Sequence, residues 1–226
     1  MDTEPSTPPE NPQDEIPEVD RRTLFKAVAT AVGCLVVFGL IFLAIRSQFA
    51  SSDEDAYATV ADARRHVVEF NVARPAPPDS FTMHVPIDSR HSKRIETTLA
   101  DFKGKPVFVS MWASWCRPCH AEMRVLDRLA PDLERLGLVV VPIMTADKAG
   151  IDGARFFYRN EEIANLRIYL DHDSRILSGL GVGNLPVGGF IDAEGNLLAI
   201  TDNLDLREPA AQELLLRFAE TGKLPS

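Results

Sequence analysis

Residues 105–119 read KPVFVSMWASWCRPC and place two cysteines directly after a short apolar run. The run at 105–112 has the length and apolar character of a buried β-strand. Apolar residues then recur with helical spacing over 116–136, and Gly137 is a typical helix terminator. Cys116 therefore falls where a buried strand gives way to a helix, and Cys119 falls one turn inside that helix.

The position of the cysteines favours redox chemistry. The first turn of a helix has unpaired N–H groups and a partial positive charge, which stabilise a thiolate, and the thiolate is the nucleophile of disulfide exchange. We expect Cys116 to attack a substrate disulfide and Cys119 to resolve the mixed disulfide. Arg117 adds positive potential, and Pro118 suits an early helix position because its missing N–H would have no partner there. A purely structural disulfide is less favoured, because so short a loop constrains the unfolded chain little.

From residue 81 onward, the pattern predicts an α/β fold, in which helices cover both faces of a sheet. The first two strands are expected to form a hairpin that opens the domain. The predicted strands are 81–87, 94–99, 105–112, 138–144, 167–170, 190–192 and 197–201, and the predicted helices are 116–136, 150–160, 173–180 and 207–221.

Residues 99–123 (LADFKGKPVFVSMWASWCRPCHAEM) resemble the TlpA branch of the thioredoxin superfamily, whose motif is WA[ST]WCxxC. The resemblance covers roughly 80–222. It implies a thioredoxin-like fold with a central mixed sheet flanked by helices, no bound cofactor and a redox disulfide between the two cysteines. It also implies that Pro186 is a cis-proline that faces the cysteines and shapes the groove for the substrate backbone. Trp112 and Trp115 would be partly packing and partly the rim of that groove.

Some positions depart from relatives in the superfamily. Thioredoxin itself has a buried aspartate where this chain has Ser110, so the proton acceptor for Cys119 stays unassigned. Glu122 lies one turn after Cys119, but we expect it on a solvated helix face. Val187 stands where the cytochrome-maturation branch has an acidic residue after its cis-proline. His120 borders the redox pair and would add positive charge when protonated, or is an exposed helix residue.

Residues 27–45 are a run of 19 residues without charge. A helix of this length spans roughly 28 Å, close to the ~30 Å hydrocarbon core of a bilayer. Basic residues precede the run and acidic residues follow it, so the positive-inside rule puts the N-terminus in the cytoplasm. We expect a single-pass protein of the bacterial inner membrane with a periplasmic catalytic domain. A twin-arginine export signal at Arg21-Arg22 stays an alternative.

The predicted organisation has four parts. Residues 1–20 are an acidic cytoplasmic tail, expected to be disordered because five prolines and seven acids leave little apolar surface to bury. Residues 21–46 form a transmembrane signal-anchor helix, 47–80 a juxtamembrane helix and proline-rich linker, and 81–226 the thioredoxin-like domain. The tail holds much of the net charge of −9. The remainder lacks the basic patch that a nucleic-acid partner would require.

The expected function is a membrane-anchored reductase of protein disulfides. The resemblance implies substrates among proteins of cytochrome or cytochrome-oxidase assembly. Apart from the CxxC pair, the chain has only Cys34, so a separate integral-membrane thiol reductase is expected as electron donor. The alternative is a copper metallochaperone that binds Cu(I) through both thiolates, although copper-delivery relatives place three residues between their cysteines. The direction of electron flow is left open, since about 30 mV changes the equilibrium tenfold.

Overall fold

The computed structural model describes residues 60–86, 91–201 and 204–225, which belong to one compact unit, Glu54–Ser226. Its strands are β1 Val67–Pro75, β2 Phe81–Pro86, β3 Ser92–Thr97, β4 Val107–Trp112, β5 Val139–Thr145, β6 Ile168–Asp171, β7 Val187–Ile191 and β8 Asn196–Thr201. Its helices are α1 Arg117–Arg135, α2 Gly150–Asn160, α3 Arg175–Leu180 and α4 Pro209–Thr221. A 3-10 turn covers Leu99–Phe102 and a helical segment covers residues 60–64.

The predictions of an acidic tail and of a membrane-spanning helix concern residues 1–20 and 21–46, which lie outside the described residues. Within the described ranges, no helix has both the length and the apolar character needed to cross a bilayer.

The eight strands form one mixed sheet in the order β1-β8-β7-β4-β5-β6-β2-β3. The central strands β4, β5 and β6 are parallel, and each outer pairing is antiparallel. The predicted α/β fold with a mixed sheet is confirmed. Strands and helices from residue 81 onward occur in the predicted order, because each short apolar run and each amphipathic stretch could be identified locally.

The sheet begins earlier in the chain than we predicted. We expected residues 47–80 to form a juxtamembrane helix and a proline-rich linker, but β1 occupies Val67–Pro75 and pairs with β8. The pairing is irregular between Glu69 and Arg74, so β1 lacks the regular alternation that marks a strand in a sequence. Pro75 is tolerated because β1 is an edge strand.

Strand β4 carries side chains to both faces of the sheet and leads directly into the cysteine motif. Phe108 and Trp112 belong to the hydrophobic cluster that α1, α2 and α4 cover. Val109 and Met111 belong to a second cluster, on the side of α3. Because side chains alternate along a strand, Ser110 shares the α1 face with Phe108 and Trp112. This face positions the motif and the groups beneath it.

Candidate active site

The two cysteines form a disulfide at the start of α1. The S–S distance is 2.00 Å and the Cα–Cα distance is 5.3 Å. Cys116 is the N-cap residue, and its Sγ accepts a hydrogen bond from the Cys119 backbone N–H at 3.3 Å. Cys116 is 4% exposed and Cys119 is fully buried, which leaves Cys116 as the more accessible of the two cysteines. Arg117 and Pro118 are both exposed in the first turn of the helix.

The two tryptophans of the motif have different environments. Trp112 is 1% exposed and packs on the rings of Phe157 and Tyr158, at centroid distances of 4.6 and 6.1 Å. Its indole N–H is buried and has no hydrogen-bond partner among the described residues. Trp115 is 62% exposed, and its indole N–H donates to the Ala146 carbonyl at 3.1 Å. Trp112 is therefore a packing residue, and only Trp115 can offer surface to a partner.

Pro186 lies at the end of the central strands from which the cysteine motif follows. The Leu185–Pro186 peptide bond is cis, and Pro186 directly precedes β7. Strand β7 pairs antiparallel with β4, with Val187 opposite Met111. The next residue along each strand direction is Trp112 after Met111 and Pro186 before Val187, so both lie at this end of the strand pair. A groove of about 290 Å³ adjoins Pro186, and it is lined by residues 182–187 together with parts of β1 and β8.

Glu122 is a site residue that the sequence interpretation missed. We expected a solvated position, but Glu122 is 8% exposed and accepts a hydrogen bond from the Ser110 hydroxyl at 3.4 Å. Burial raises the pKa of Glu122 to about 8; the Ser110 hydrogen bond opposes this shift, and the negative charge of Asp205 adds to it. A signal was present, because position 122 is three residues after Cys119 and four before Leu126, on the buried stripe of α1.

Asp147 is a second carboxylate that sequence reasoning did not single out. It follows β5 and accepts hydrogen bonds from the backbone N–H groups of Ser114 and Ala149, at 2.6 and 2.9 Å. Burial acts to raise the pKa of Asp147, but hydrogen bonds from the Ser114 hydroxyl and from the backbone N–H groups of Ala149 and Ser114 outweigh it, so this pKa lies below its usual value. Asp147 therefore remains charged at neutral pH.

The histidines differ in their relation to the cysteines. His120 Nε2 lies 2.8 Å from the Ser114 carbonyl oxygen, and Nδ1 lies 3.8 Å from a carboxylate oxygen of Glu161. His172 contacts the Thr82 hydroxyl at 3.4 Å, and this contact joins β2 to the loop after β6. In the part of the chain that the structure describes, no group of three or more His, Cys, Asp or Glu side chains is arranged to hold a metal ion.

Comparisons with other sequences identify the family. The family model of AhpC/TSA matches residues 72–200, more than half of the chain. An uncharacterized protein from Haemophilus influenzae is 35% identical over 102 residues, covering 44% of this chain and 65% of that protein. Thiol-disulfide oxidoreductase ResA from Bacillus thuringiensis is 33% identical over 106 residues, covering 47% of this chain and 58% of ResA. The chain thus spans less than two thirds of the length of these relatives.

Solved structures show the same fold. A thiol:disulfide interchange protein of the DsbE type from Chlorobium tepidum has a TM-score of 0.54 and 20% identity, covering 67% of this chain and 99% of its own. A secreted thiol-disulfide isomerase from Corynebacterium glutamicum has a TM-score of 0.53 and 19% identity, covering 69% and 92%. The fold is therefore thioredoxin-like. With the family match, this places the chain in the AhpC/TSA family of the thioredoxin superfamily, the group that includes the TlpA-type proteins.

Proposed function

We propose that this protein is a thiol–disulfide oxidoreductase that reduces disulfides in other proteins. The main observation in support is the Cys116–Cys119 disulfide at the N-terminus of α1, at the same end of strands β4 and β7 as Pro186. The unpaired N–H groups of this first turn stabilise a thiolate at Cys116. A relative that shares a third of its aligned residues with this chain is named a thiol-disulfide oxidoreductase.

The first step is attack by the reduced form of the protein. The Cys116 thiolate attacks one sulfur of the substrate disulfide, the S–S bond of the substrate breaks, and its other sulfur leaves as a thiolate. The product is a mixed disulfide between Cys116 and the substrate. Trp115 is exposed next to Cys116, and Pro186 lies at the same end of the paired strands β4 and β7 as the motif, so the substrate chain would lie against these two residues.

The second step needs a proton acceptor for Cys119. Glu122 is on the same face of α1, one turn further along, and its pKa of about 8 lies near the operating pH. Glu122 is therefore the group that would accept the thiol proton of Cys119. The Cys119 thiolate then attacks Cys116 Sγ, the mixed disulfide breaks, and the second substrate sulfur leaves as a thiolate. Two electrons have passed to the substrate, and the protein ends with its own disulfide.

The cellular setting is part of the proposal. The uncharged run at 27–45 and the basic residues before it support insertion in the bacterial inner membrane, with lipid around the run and the catalytic domain in the periplasm. Disulfides persist in such an oxidising compartment, so each cycle requires re-reduction. An integral-membrane thiol reductase would supply the two electrons. By the TlpA resemblance, the substrates would be proteins of cytochrome or cytochrome-oxidase assembly.

Trapping of the mixed disulfide tests the chemistry. The full-length Cys119→Ser variant should accumulate a disulfide-linked adduct with proteins that contain a disulfide, because the second step is removed. The matched Cys116→Ser variant should form no such adduct, and the wild-type protein should reduce insulin disulfides. Adducts through Cys119 instead would reverse the assigned roles. Stoichiometric Cu(I) binding through both cysteines and a histidine, without any disulfide reduction, would support the metallochaperone and refute the proposal.

A further inference from the structure

The turn that precedes Cys116 makes hydrogen bonds to three residues, Asp147, His120 and Ala146. The Ser114 backbone N–H donates to the Asp147 carboxylate at 2.6 Å. The Ser114 carbonyl accepts from His120 Nε2 at 2.8 Å, and the Trp115 indole N–H donates to the Ala146 carbonyl at 3.1 Å. Because a carbonyl can only accept, His120 must carry its proton on Nε2 in this contact. The Ser114 residue is therefore fixed at both its N–H and its C=O.

Two of these bonds come from the loop between β5 and α2. This loop lies beside the motif because β4 and β5 are parallel neighbours, with Trp112 opposite Met144 at their ends. Ala146 has a φ of +50°, a left-handed conformation that is uncommon for a residue other than glycine. Asp147 also accepts the Ala149 backbone N–H. The loop is thus shaped so that one carbonyl and one carboxylate both face the motif.

We propose that Asp147 is a positioning residue for Cys116. It acts through Ser114, which lies two residues before the reacting sulfur, inside the turn closed by the Cys116 N–H on the Ala113 carbonyl at 3.0 Å. The inference rests on the proposed function, because it concerns how the attacking sulfur is presented to a docked disulfide. An attack along the S–S axis depends on position, and small displacements cause large losses of rate.

The hydrogen bond and the charge of Asp147 have opposite consequences. The hydrogen bond holds Ser114 and so favours attack, whereas the negative charge beside the motif disfavours the Cys116 thiolate. Asparagine retains an acceptor oxygen and removes the charge, while alanine removes both. Asp147→Asn and Asp147→Ala therefore separate positioning from electrostatics.

The experiment compares two reactions of the same thiol in the reduced full-length protein. Alkylation by iodoacetamide, followed to its plateau at high pH, reports the intrinsic reactivity of Cys116, because a small reagent needs no docking. Reduction of a protein disulfide also depends on how Cys116 is presented. We expect Asp147→Ala to reduce the second rate by at least about tenfold while the alkylation plateau changes by less than about twofold. Asp147→Asn should retain most of the disulfide-reduction rate.

Asp152→Ala is the matched control, because Asp152 is an exposed acid in the first turn of α2 and lies 3.9 Å from Arg155. It should leave both reactions unchanged. The inference is overturned if Asp147→Ala behaves like this control, if both reactions fall in parallel, or if Asp147→Asn is as impaired as Asp147→Ala. A wild-type protein that does not reduce protein disulfides at all would instead refute the proposed function.

Discussion

Two carboxylates border the cysteine motif, and their environments shift their pKa values in opposite directions. Glu122 lies one turn after Cys119 on α1, buried against β4, with one long hydrogen bond from Ser110. Asp147 lies at the rim and accepts short backbone hydrogen bonds from Ser114 and Ala149. Burial favours the protonated acid at Glu122, and hydrogen bonding favours the carboxylate at Asp147. The first is suited to exchange a proton, and the second to hold a position.

The largest expected effect is on stability as a function of pH. The folded-state pKa of Glu122, about 8 against 4.5 for the free side chain, means that the folded state binds this proton more tightly. The stability that the protonated Glu122 side chain contributes is therefore fully present below pH 4.5. It is lost as the pH rises to 8, and the loss is at most on the order of 5 kcal/mol. Glu122→Gln should remove this loss. Urea unfolding of the oxidised protein at pH 5 and pH 9 measures it.

The matched control for this measurement is Glu134→Gln, because Glu134 is an exposed acid on the same helix. It should retain the pH dependence of the wild-type protein. An unchanged pH dependence in Glu122→Gln would show that Glu122 is ionised in the folded state at neutral pH, and the contrast with Asp147 would disappear.

The second expected effect is on the resolving step. Without a proton acceptor beside Cys119, Glu122→Gln should slow the decay of the mixed disulfide by about 100-fold at pH 7. In the wild-type protein the decay should accelerate up to about pH 8, the pKa of Glu122, and then level off. Acid-quench trapping of the mixed disulfide measures both the decay rate of the variant and the pH profile of the wild-type protein. A variant that resolves as fast as the Glu134→Gln control would exclude this role for Glu122.

A smaller effect is expected from Ser110→Ala. The Ser110 hydroxyl lowers the pKa of Glu122 by donating to its carboxylate, so its loss should raise this pKa further. The pH profile of the resolving step should move to higher pH, with a stability cost of about 1 kcal/mol for the lost hydrogen bond. If the profile keeps its wild-type position, the 3.4 Å contact does not influence the proton on Glu122.

The smallest effect is expected from Asp147→Asn on stability. The pKa of Asp147 is lowered in the folded state, so its charge contributes stability above about pH 4, and this contribution disappears as the pH falls through the folded-state value. Because Asp147 is partly solvated, we expect less than about 1 kcal/mol. Thermal unfolding of the two proteins should differ slightly at pH 7, and the difference should shrink as the pH falls below about 4. A difference that does not shrink with falling pH would mean that charge is not the cause.

The sequence predicted the features that depend on neighbouring residues. The end of β4, the start of α1 and the places of Cys116 and Cys119 could be identified because a buried strand, a motif and an amphipathic helix follow each other directly. The prediction of a solvated Glu122 was wrong because it followed the charge of the side chain, although position 122 belongs to the buried stripe of α1. The hydrogen bond from Ser110 on β4, which offsets part of the cost of this burial, comes from a different element of the fold.

Contacts between distant segments could not be predicted in this way. Asp147 is 33 positions away from its partner Ser114, and only the parallel pairing of β4 and β5 brings them together. The same applies to β1, whose irregular pairing with β8 hides the strand in the sequence. Pro186 was assigned through the family resemblance rather than through its own surroundings.

Strand β1 has a practical consequence for work on the isolated catalytic domain. A fragment that begins at residue 81, the domain boundary that the sequence suggested, would lack β1 and leave the outer side of β8 without its partner. Unpaired strand edges recruit other chains, so such a fragment should self-associate through β8. A fragment that begins at Glu54, the first residue of the compact unit, keeps the edge covered and is the one expected to stay monomeric.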